Sequence, residues 1–213
     1  TASRKKDFIG LYLNACLQKA EDINLITKNP YKAVVKDKRT INIRQGYNLA
    51  EQKQILQAIR GQDIEPAILV YLCTGIRKNE LSTFNVKTDI DREHNIIKIK
   101  SEKKRQDSYR LIDVTPALIA IIDNNPQALQ LSTDYIYRKL KTILNKLNIR
   151  TGLHLLRHTY ATNHFYLGTP VKLVSSWLGH ETIELTQNIY THIDRTITRE
   201  DIINLYGDLY YKF

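Results

Sequence analysis

The chain has 213 residues, 42% hydrophobic and 25% charged, which is the balance of an ordinary globular domain rather than of a disordered, collagen-like or fibrous chain. Its 32 Lys and Arg outnumber its 22 Asp and Glu, a formal net charge of +10. No apolar run approaches the ~18 to 20 residues that span a bilayer and no signal-peptide pattern opens the chain, so membrane insertion and secretion lose sequence support, and the cytoplasm is the expected location.

The length allows one catalytic-sized domain with a small appendage, or two small domains. The chain starts at Thr1 and contains no Met, so a segment missing upstream is expected. Cys16 and Cys73 lie in apolar helical patterns without CxxC spacing, which argues against a disulfide framework or a zinc site; both read as buried small hydrophobes. The basic charge is concentrated. Residues 1–44 hold ten Lys/Arg against four Asp/Glu, residues 98–110 six against two, and residues 137–157 six against none. One such cluster is commonly a solvated face, but three in one modest chain point to a polyanion, because every phosphate neutralised releases counterions. Charge alone does not separate DNA from RNA.

In chain order, residues 4–28 place Phe8, Ile9, Leu11, Tyr12, Ala15, Cys16, Ala20 and Ile23 at helical spacing, and Asn29-Pro30 breaks the pattern. Residues 31–47 read as a basic linker. Asn48 with Glu51 makes a capping-box start for a helix to about Arg60. Glu65-Pro66 opens a very apolar helix that ends near Gly75, and a short helix follows from Arg77 to about Ser82. Ile96, Ile97 and Ile99, then Tyr109 to Val114, read as two strands of a hairpin whose tip, Ser101–Ser108, is polar and basic. From Thr115-Pro116 the signals are helical. Ser132 caps a helix to Leu147, Thr169-Pro170 reads as a cap and first helical residue, and helices are expected over about 154–167, 170–178, 183–190 and 198–211. The fold class is therefore mainly α with a small antiparallel β-sheet (α+β).

Four short frames carry candidate chemistry. Arg77 follows Gly75-Ile76 where a helix begins; His154 and Arg157 stand three apart on one helix face; His180 follows Leu178-Gly179; and Tyr190 lies ten residues further on. Taken singly, each has a bland explanation: an Arg after a Gly is ordinarily a surface residue, and 13 Tyr compete for any special role. Tyr206, Tyr210 and Tyr211 are the main competitors, but their spacing with Ile202, Ile203 and Leu209 favours packing. His158, His164 and His192 lack a framing motif and read as supporting structure.

Together and in this order, the frames resemble the tyrosine recombinases, the family of phage and transposon integrases. The family signature is an Arg in a T-G-L-R-x-x-E-L box, a Lys in a β-hairpin, H-x-x-R, a His or Trp after L-G, and a nucleophilic Tyr. These fall on Arg77, Lys100, His154, Arg157, His180 and Tyr190, with Ile76 in place of the common Leu. Lys100 ends the first strand 23 residues after Arg77, and Lys103 is the second choice for that role. The resemblance covers about residues 48–195, and residues 1–30 resemble the end of the preceding helical DNA-binding domain. It implies cleavage and rejoining of double-stranded DNA through a 3′-phosphotyrosine, for integration or excision of a mobile element. It also implies a synaptic tetramer assembled through residues 198–213, with cis packing of that segment as the alternative, and accessory DNA-bending proteins as candidate partners.

The residue types suit that chemistry on their own terms. Two guanidinium forks stabilise the charge that develops on the nonbridging oxygens, so the reaction has no need of a metal. A covalent phosphotyrosine conserves the bond energy, so it has no need of ATP or another cofactor. A phenol of pKa ~10 calls for a proton acceptor, for which His154 is the candidate, with Lys100 protonating the leaving 5′ oxygen and His180 hydrogen-bonding the phosphate. Lys103, Lys104 and Arg105 are candidate phosphate contacts. Two alternatives remain open: type IB topoisomerase-like relaxation, and a catalytically inactive DNA-binding regulator of the same fold.

Overall fold

The computed structural model describes residues 2–33, 45–100, 109–180, 182–190, 193–194 and 196–210. The chain divides into two compact units, Thr1–Asn42 and Ile43–Phe213.

The first unit is built on α1 (Ala2–Asp22), which stops before the expected residue 28; Asn24 then takes a left-handed backbone, φ +57, and a 3-10 turn follows at Pro30–Ala33. Asn29 is buried and pins this turn, donating to Asn14 Oδ1 at 3.1 Å and accepting from the Tyr31 amide at 2.9 Å. Cys16 is exposed rather than buried. Among the described residues, Ile9, Leu11 and Tyr12 of the same 21-residue helix are exposed with it. Most of the basic linker, residues 34–44, lies outside the described residues.

In the second unit, Asn48 and Glu51 form the expected capping box of α2 (Leu49–Ile59). Just before it, a Cβ on Gly46 would lie 2.6 Å from the Thr159 amide nitrogen, so only glycine lets the chain run this close to the backbone of His158 and Thr159. Tyr47 fastens the approach, its amide donating to Thr159 Oγ1 at 2.8 Å and its hydroxyl to the Arg150 carbonyl at 2.9 Å.

The very apolar segment becomes α3 (Glu65–Thr74), buried from Pro66 onward, which is why its hydrophobicity has no face: it is the central helix of the core. Short α4 (Lys78–Ser82) follows. The hairpin is there, β2 (Ile96–Lys100) against β3 (Tyr109–Asp113), joined by a strand the sequence did not announce, β1 (Ile90–Asp91). The order is β1-β2-β3, antiparallel, with Ile97 opposite Ile112 and Ile99 opposite Arg110. The hairpin tip, with Lys103, Lys104 and Arg105, is outside the described residues.

Thr115-Pro116 caps α5 (Pro116–Asn124), and Ser132 caps α6 (Thr133–Lys146), which buries Ile136, Leu140 and Leu144. Then come α7 (Leu153–Tyr166), α8 (Val171–Leu178), α9 (Ile183–Tyr190) and α10 (Arg199–Tyr206). Val171 rather than Pro170 opens α8, and Thr169, read as its cap, faces His164 Nδ1 instead, at 3.0 Å. The last helix stops at Tyr206 because Gly207 turns the chain at φ +58 into a 3-10 turn. Ile202, Tyr206 and Tyr210 are buried on the chain's own core, the Tyr210 hydroxyl donating to the Leu72 carbonyl.

Candidate active site

Two left-handed glycines end the helices that form the site. Gly75 closes α3 at φ +61, where a Cβ would collide with Tyr160 at 2.7 Å and Leu178 at 2.9 Å; Gly179 closes α8 at φ +62. Both ends leave carbonyls without intrahelical partners, and carbonyls at a helix C-terminus favour cations.

Three arginines fill that demand, one on each of three successive carbonyls at the C-terminal end of α8 and its Gly179 cap. Arg110 Nε donates to the Trp177 carbonyl at 2.7 Å, Arg157 Nη2 to Leu178 at 2.5 Å, and Arg77 Nη2 to Gly179 at 3.2 Å. Arg157 also donates to the Gly75 carbonyl at 2.6 Å, so the same guanidinium joins both helix ends. Its side chain is buried, and burial, then the positive charge of Arg77 and Arg110, brings its pKa down to about 9. It still holds its proton at neutral pH.

Glu80 balances part of this charge. Its carboxylate is fully buried and accepts four hydrogen bonds: Oε1 from Arg77 Nη1 at 2.7 Å and Arg110 Nη1 at 2.5 Å, Oε2 from the Arg77 amide at 2.7 Å and Arg110 Nη2 at 2.6 Å. Burial pushes its pKa up, but the Arg110 fork and the Arg77 contacts outweigh that and hold it at about 2. Arg77 keeps a third of its side chain exposed, whereas Arg110 keeps 9%.

His180 stands next in sequence to Gly179, with its Nδ1 2.8 Å from Thr186 Oγ1 on α9. Burial, then the positive charges of Arg157 and Arg77, lowers its pKa to about 4, so the ring is neutral at neutral pH. His154 is exposed on the first turn of α7, its ring meeting His158 edge-on at 4.7 Å.

The structure thus brings Arg77, Arg157 and His180 together, and His158, then His154, add to the disfavouring of a positive charge on His180. Tyr190 ends α9, four residues beyond Thr186; its side chain lies outside what is described. Lys100 is exposed at the end of β2 opposite Tyr109, and the alternation of the pleat puts that pair on the face away from Ile99 and Arg110. Arg110 and Glu80 were not singled out from the sequence. Glu80 sits inside the R-x-x-E-L box, and this was its only signal. Among the described residues no group of three or more His, Cys, Asp and Glu is arranged to hold a metal ion, and no helix is long and apolar enough to cross a membrane.

The chain resembles known proteins in sequence and in fold. The model of the phage integrase family matches residues 48–196. The tyrosine recombinase XerA of Saccharolobus solfataricus is 35% identical over 146 residues, 66% of this chain and 50% of the relative. A XerA from Pyrococcus furiosus is 27% identical over 74% of this chain and 62% of its own length. Against the first of these relatives, the chain spans about half of the longer protein. Among solved structures, the Tn1549 transposon integrase in complex with a circular intermediate DNA superposes with a TM-score of 0.71 at 22% identity, covering 95% of this chain and 79% of the other. XerH bound to a palindromic difH substrate gives 0.62 at 24% identity over 76% of this chain and 53% of the other, likenesses that speak to the fold. With a family model matched over more than half its length, on the segment that holds Arg77, Arg157, His180 and Tyr190, the chain belongs to the phage integrase family, the tyrosine recombinases.

Proposed function

We propose that the chain is the catalytic part of a site-specific DNA recombinase that integrates or excises a mobile element. The observation that carries the reading is the line of α8 carbonyls that sets Arg77 and Arg157 beside His180, with more positive charge than Glu80 balances. A phosphodiester would receive both guanidinium groups on its nonbridging oxygens.

Tyr190 Oη attacks phosphorus, a P–O bond to tyrosine forms, and the bond to the 5′ oxygen breaks, leaving a 3′-phosphotyrosine and a free 5′ hydroxyl. The phenolic proton passes to His154, and a hairpin lysine, Lys100 or Lys103, protonates the leaving oxygen. Because His180 is neutral, a Thr186 hydroxyl donating to Nδ1 leaves its proton on Nε2, available to the phosphate. The reverse transesterification rejoins a strand without ATP, and the paired guanidinium groups stand where a metal would otherwise be required.

Double-stranded DNA is the substrate. Lys103, Lys104 and Arg105 would add phosphate contacts, and the reaction takes place on DNA in the cytoplasm. Self-assembly into a synaptic tetramer, helped by DNA-bending proteins, would bring two sites together. Exchange of residues 198–213 between protomers would first break, and then remake on a partner, the contacts of Tyr206 and Tyr210.

The test uses nicked duplexes of randomised sequence, from which covalent protein–DNA adducts are captured under denaturing conditions and sequenced. Adducts enriched for one sequence, and absent with Tyr190→Phe, are expected. DNA binding without adduct would leave a regulator of the same fold, and sequence-independent relaxation of supercoils by a monomer would make it a topoisomerase.

A further inference from the structure

We infer that Arg110, on the hairpin strand β3, is a positioning residue for this reaction: it satisfies the buried Glu80 carboxylate and so leaves the charge of Arg77 available to the scissile phosphate. The inference rests on the recombinase reading of the same site.

Two features fix the position of Arg110. Its Nε faces the Trp177 carbonyl and both ends of its fork face Glu80, so these contacts all run into the protein, and its side chain is 9% exposed. It also belongs to the sheet, and its neighbour Asp113 accepts from Trp177 Nε1 at 3.1 Å, so the base of the hairpin is fastened to α8 at two points. Arg110 is therefore held in place whether or not DNA is bound.

Charge bookkeeping gives that position a purpose. Among the described residues, three guanidinium groups and one carboxylate share this cluster, an excess of two positive charges. A phosphodiester carries formally one negative charge, and the five-coordinate phosphorane formed from it carries formally two. The cluster matches the phosphorane. Without Arg110 the excess drops to one, and Glu80, a carboxylate with no exposed surface, has Arg77 as its remaining guanidinium partner. Arg77 is then neutralised by Glu80 and drawn toward it, away from the phosphate.

The experiment measures first-order cleavage of a nicked duplex, captured on the unaltered protein, by three forms of the full chain, with thermal melting as the check of folding. Arg110→Gln is expected to cleave about 100-fold more slowly, the usual effect of losing one preorganised contact on the developing charge, here that of Arg77. Arg110→Gln combined with Glu80→Gln removes one charge of each sign and restores the excess of two, so it is expected to recover at least about tenfold of that loss. A methylphosphonate at the scissile position, whose phosphorane carries one charge less, is expected to shrink the Arg110→Gln defect to about threefold.

A merely structural arginine would make the double variant worse than the single one. A folded double variant as slow as Arg110→Gln, or an equal defect on the methylphosphonate, overturns the inference. If Arg110→Gln alone does not fold, the double variant, which buries no unpaired carboxylate, decides: folded and within about tenfold of the unaltered rate supports the inference, and folded but 100-fold slower sinks it. Absence of any adduct from the unaltered protein would instead overturn the recombinase reading, and the inference with it.

Discussion

The two halves of α7 belong to two buried polar networks of opposite design. Near its start, Arg157 joins Arg77, Arg110 and Glu80 in a cluster with surplus positive charge, and burial with like charges lowers the Arg157 pKa to about 9. Near its end, Asn163 joins a neutral network: its amide donates to Gln52 Oε1 at 3.0 Å and Tyr210 Oη at 3.3 Å, Tyr206 donates to the same Gln52 at 2.8 Å, and Tyr210 reaches the Leu72 carbonyl. The neutral network ties α2, α3, α7 and α10 together, although the buried Asn163 Oδ1 has no hydrogen-bond partner among the described residues. The charged one keeps an excess of positive charge among the described residues, the excess that the proposed reaction would set against a phosphate. One half of the helix thus carries a neutral network, and the other a cluster in which, among the described residues, the guanidinium groups outnumber the carboxylates three to one.

The sharpest way to break this contrast is Arg157→Met. The variant loses two hydrogen bonds, at roughly 1 kcal/mol each, but also sheds a buried cation repelled by two neighbours, so its stability should stay within about 1 kcal/mol of the unaltered chain. Its cleavage should fall about a thousand-fold, equivalent to roughly 4 kcal/mol of barrier. Denaturant melts and adduct kinetics on the same preparation check both halves. A melt lowered by several kcal/mol would show that Arg157 is structural first, and would erase the distinction between the networks.

Tyr210→Ala is the mirror image. It removes a buried ring that touches Tyr160, His164 and Tyr206, and leaves the Leu72 carbonyl unpaired. A loss of about 3 kcal/mol is expected, a melting temperature lower by roughly 6 to 12 °C, with cleavage per folded molecule changed by no more than about threefold. If cleavage fell in proportion to nothing but the charge cluster, without a stability loss, the neutral network would be part of the site.

The same contrast explains what the sequence disclosed. Arg77, His154, Arg157 and His180 are marked by short local frames, since a helix end and the following turn fix residues three or four apart. Tyr206 and Tyr210 read as packing because their spacing matches a helix face, and the structure buries them. Arg110 was missed because β3 inverts the usual alternation: Tyr109 and Leu111 are half-exposed while Arg110 turns inward beside Ile112, so a charged residue stands where an apolar one is expected. Only contacts distant in sequence reveal it, through Glu80 30 residues before and Trp177 67 residues after. β1 was missed for a plainer reason, as two residues are too few to carry a periodicity. Cys16 and its neighbours show the converse failure: an apolar stripe says that a face can be covered, not that it is.

The two buried histidines carry the comparison into pH. His164, in the neutral network, is lowered by burial from its ordinary 6.5 to about 3; His180, in the charged one, is lowered to about 4 by burial and then by Arg157 and Arg77. A base depressed in the folded state contributes stability that is whole above the unfolded value of about 6.5. That contribution is lost as pH falls, because the unfolded chain takes up the proton first. For His164 this amounts to roughly 2 to 3 kcal/mol by pH 4.5, before Glu80, held at about 2, begins to add its own loss below its ordinary 4.5. His164→Gln should therefore flatten about half of the decline between pH 6.5 and 4.5 in urea melts, since His180, lowered to about 4, loses a similar amount over the same window. DNA separates the pair: a phosphate beside His180 cancels the arginine repulsion and should raise its titration midpoint by a unit or more, about 1.4 kcal/mol per unit, while His164, shielded among Tyr160, Trp177 and Tyr210, stays where it is. Ring-carbon NMR titrations with and without duplex read both midpoints at once, and equal shifts at the two rings would mean that the anion acts on the whole core rather than on an open site.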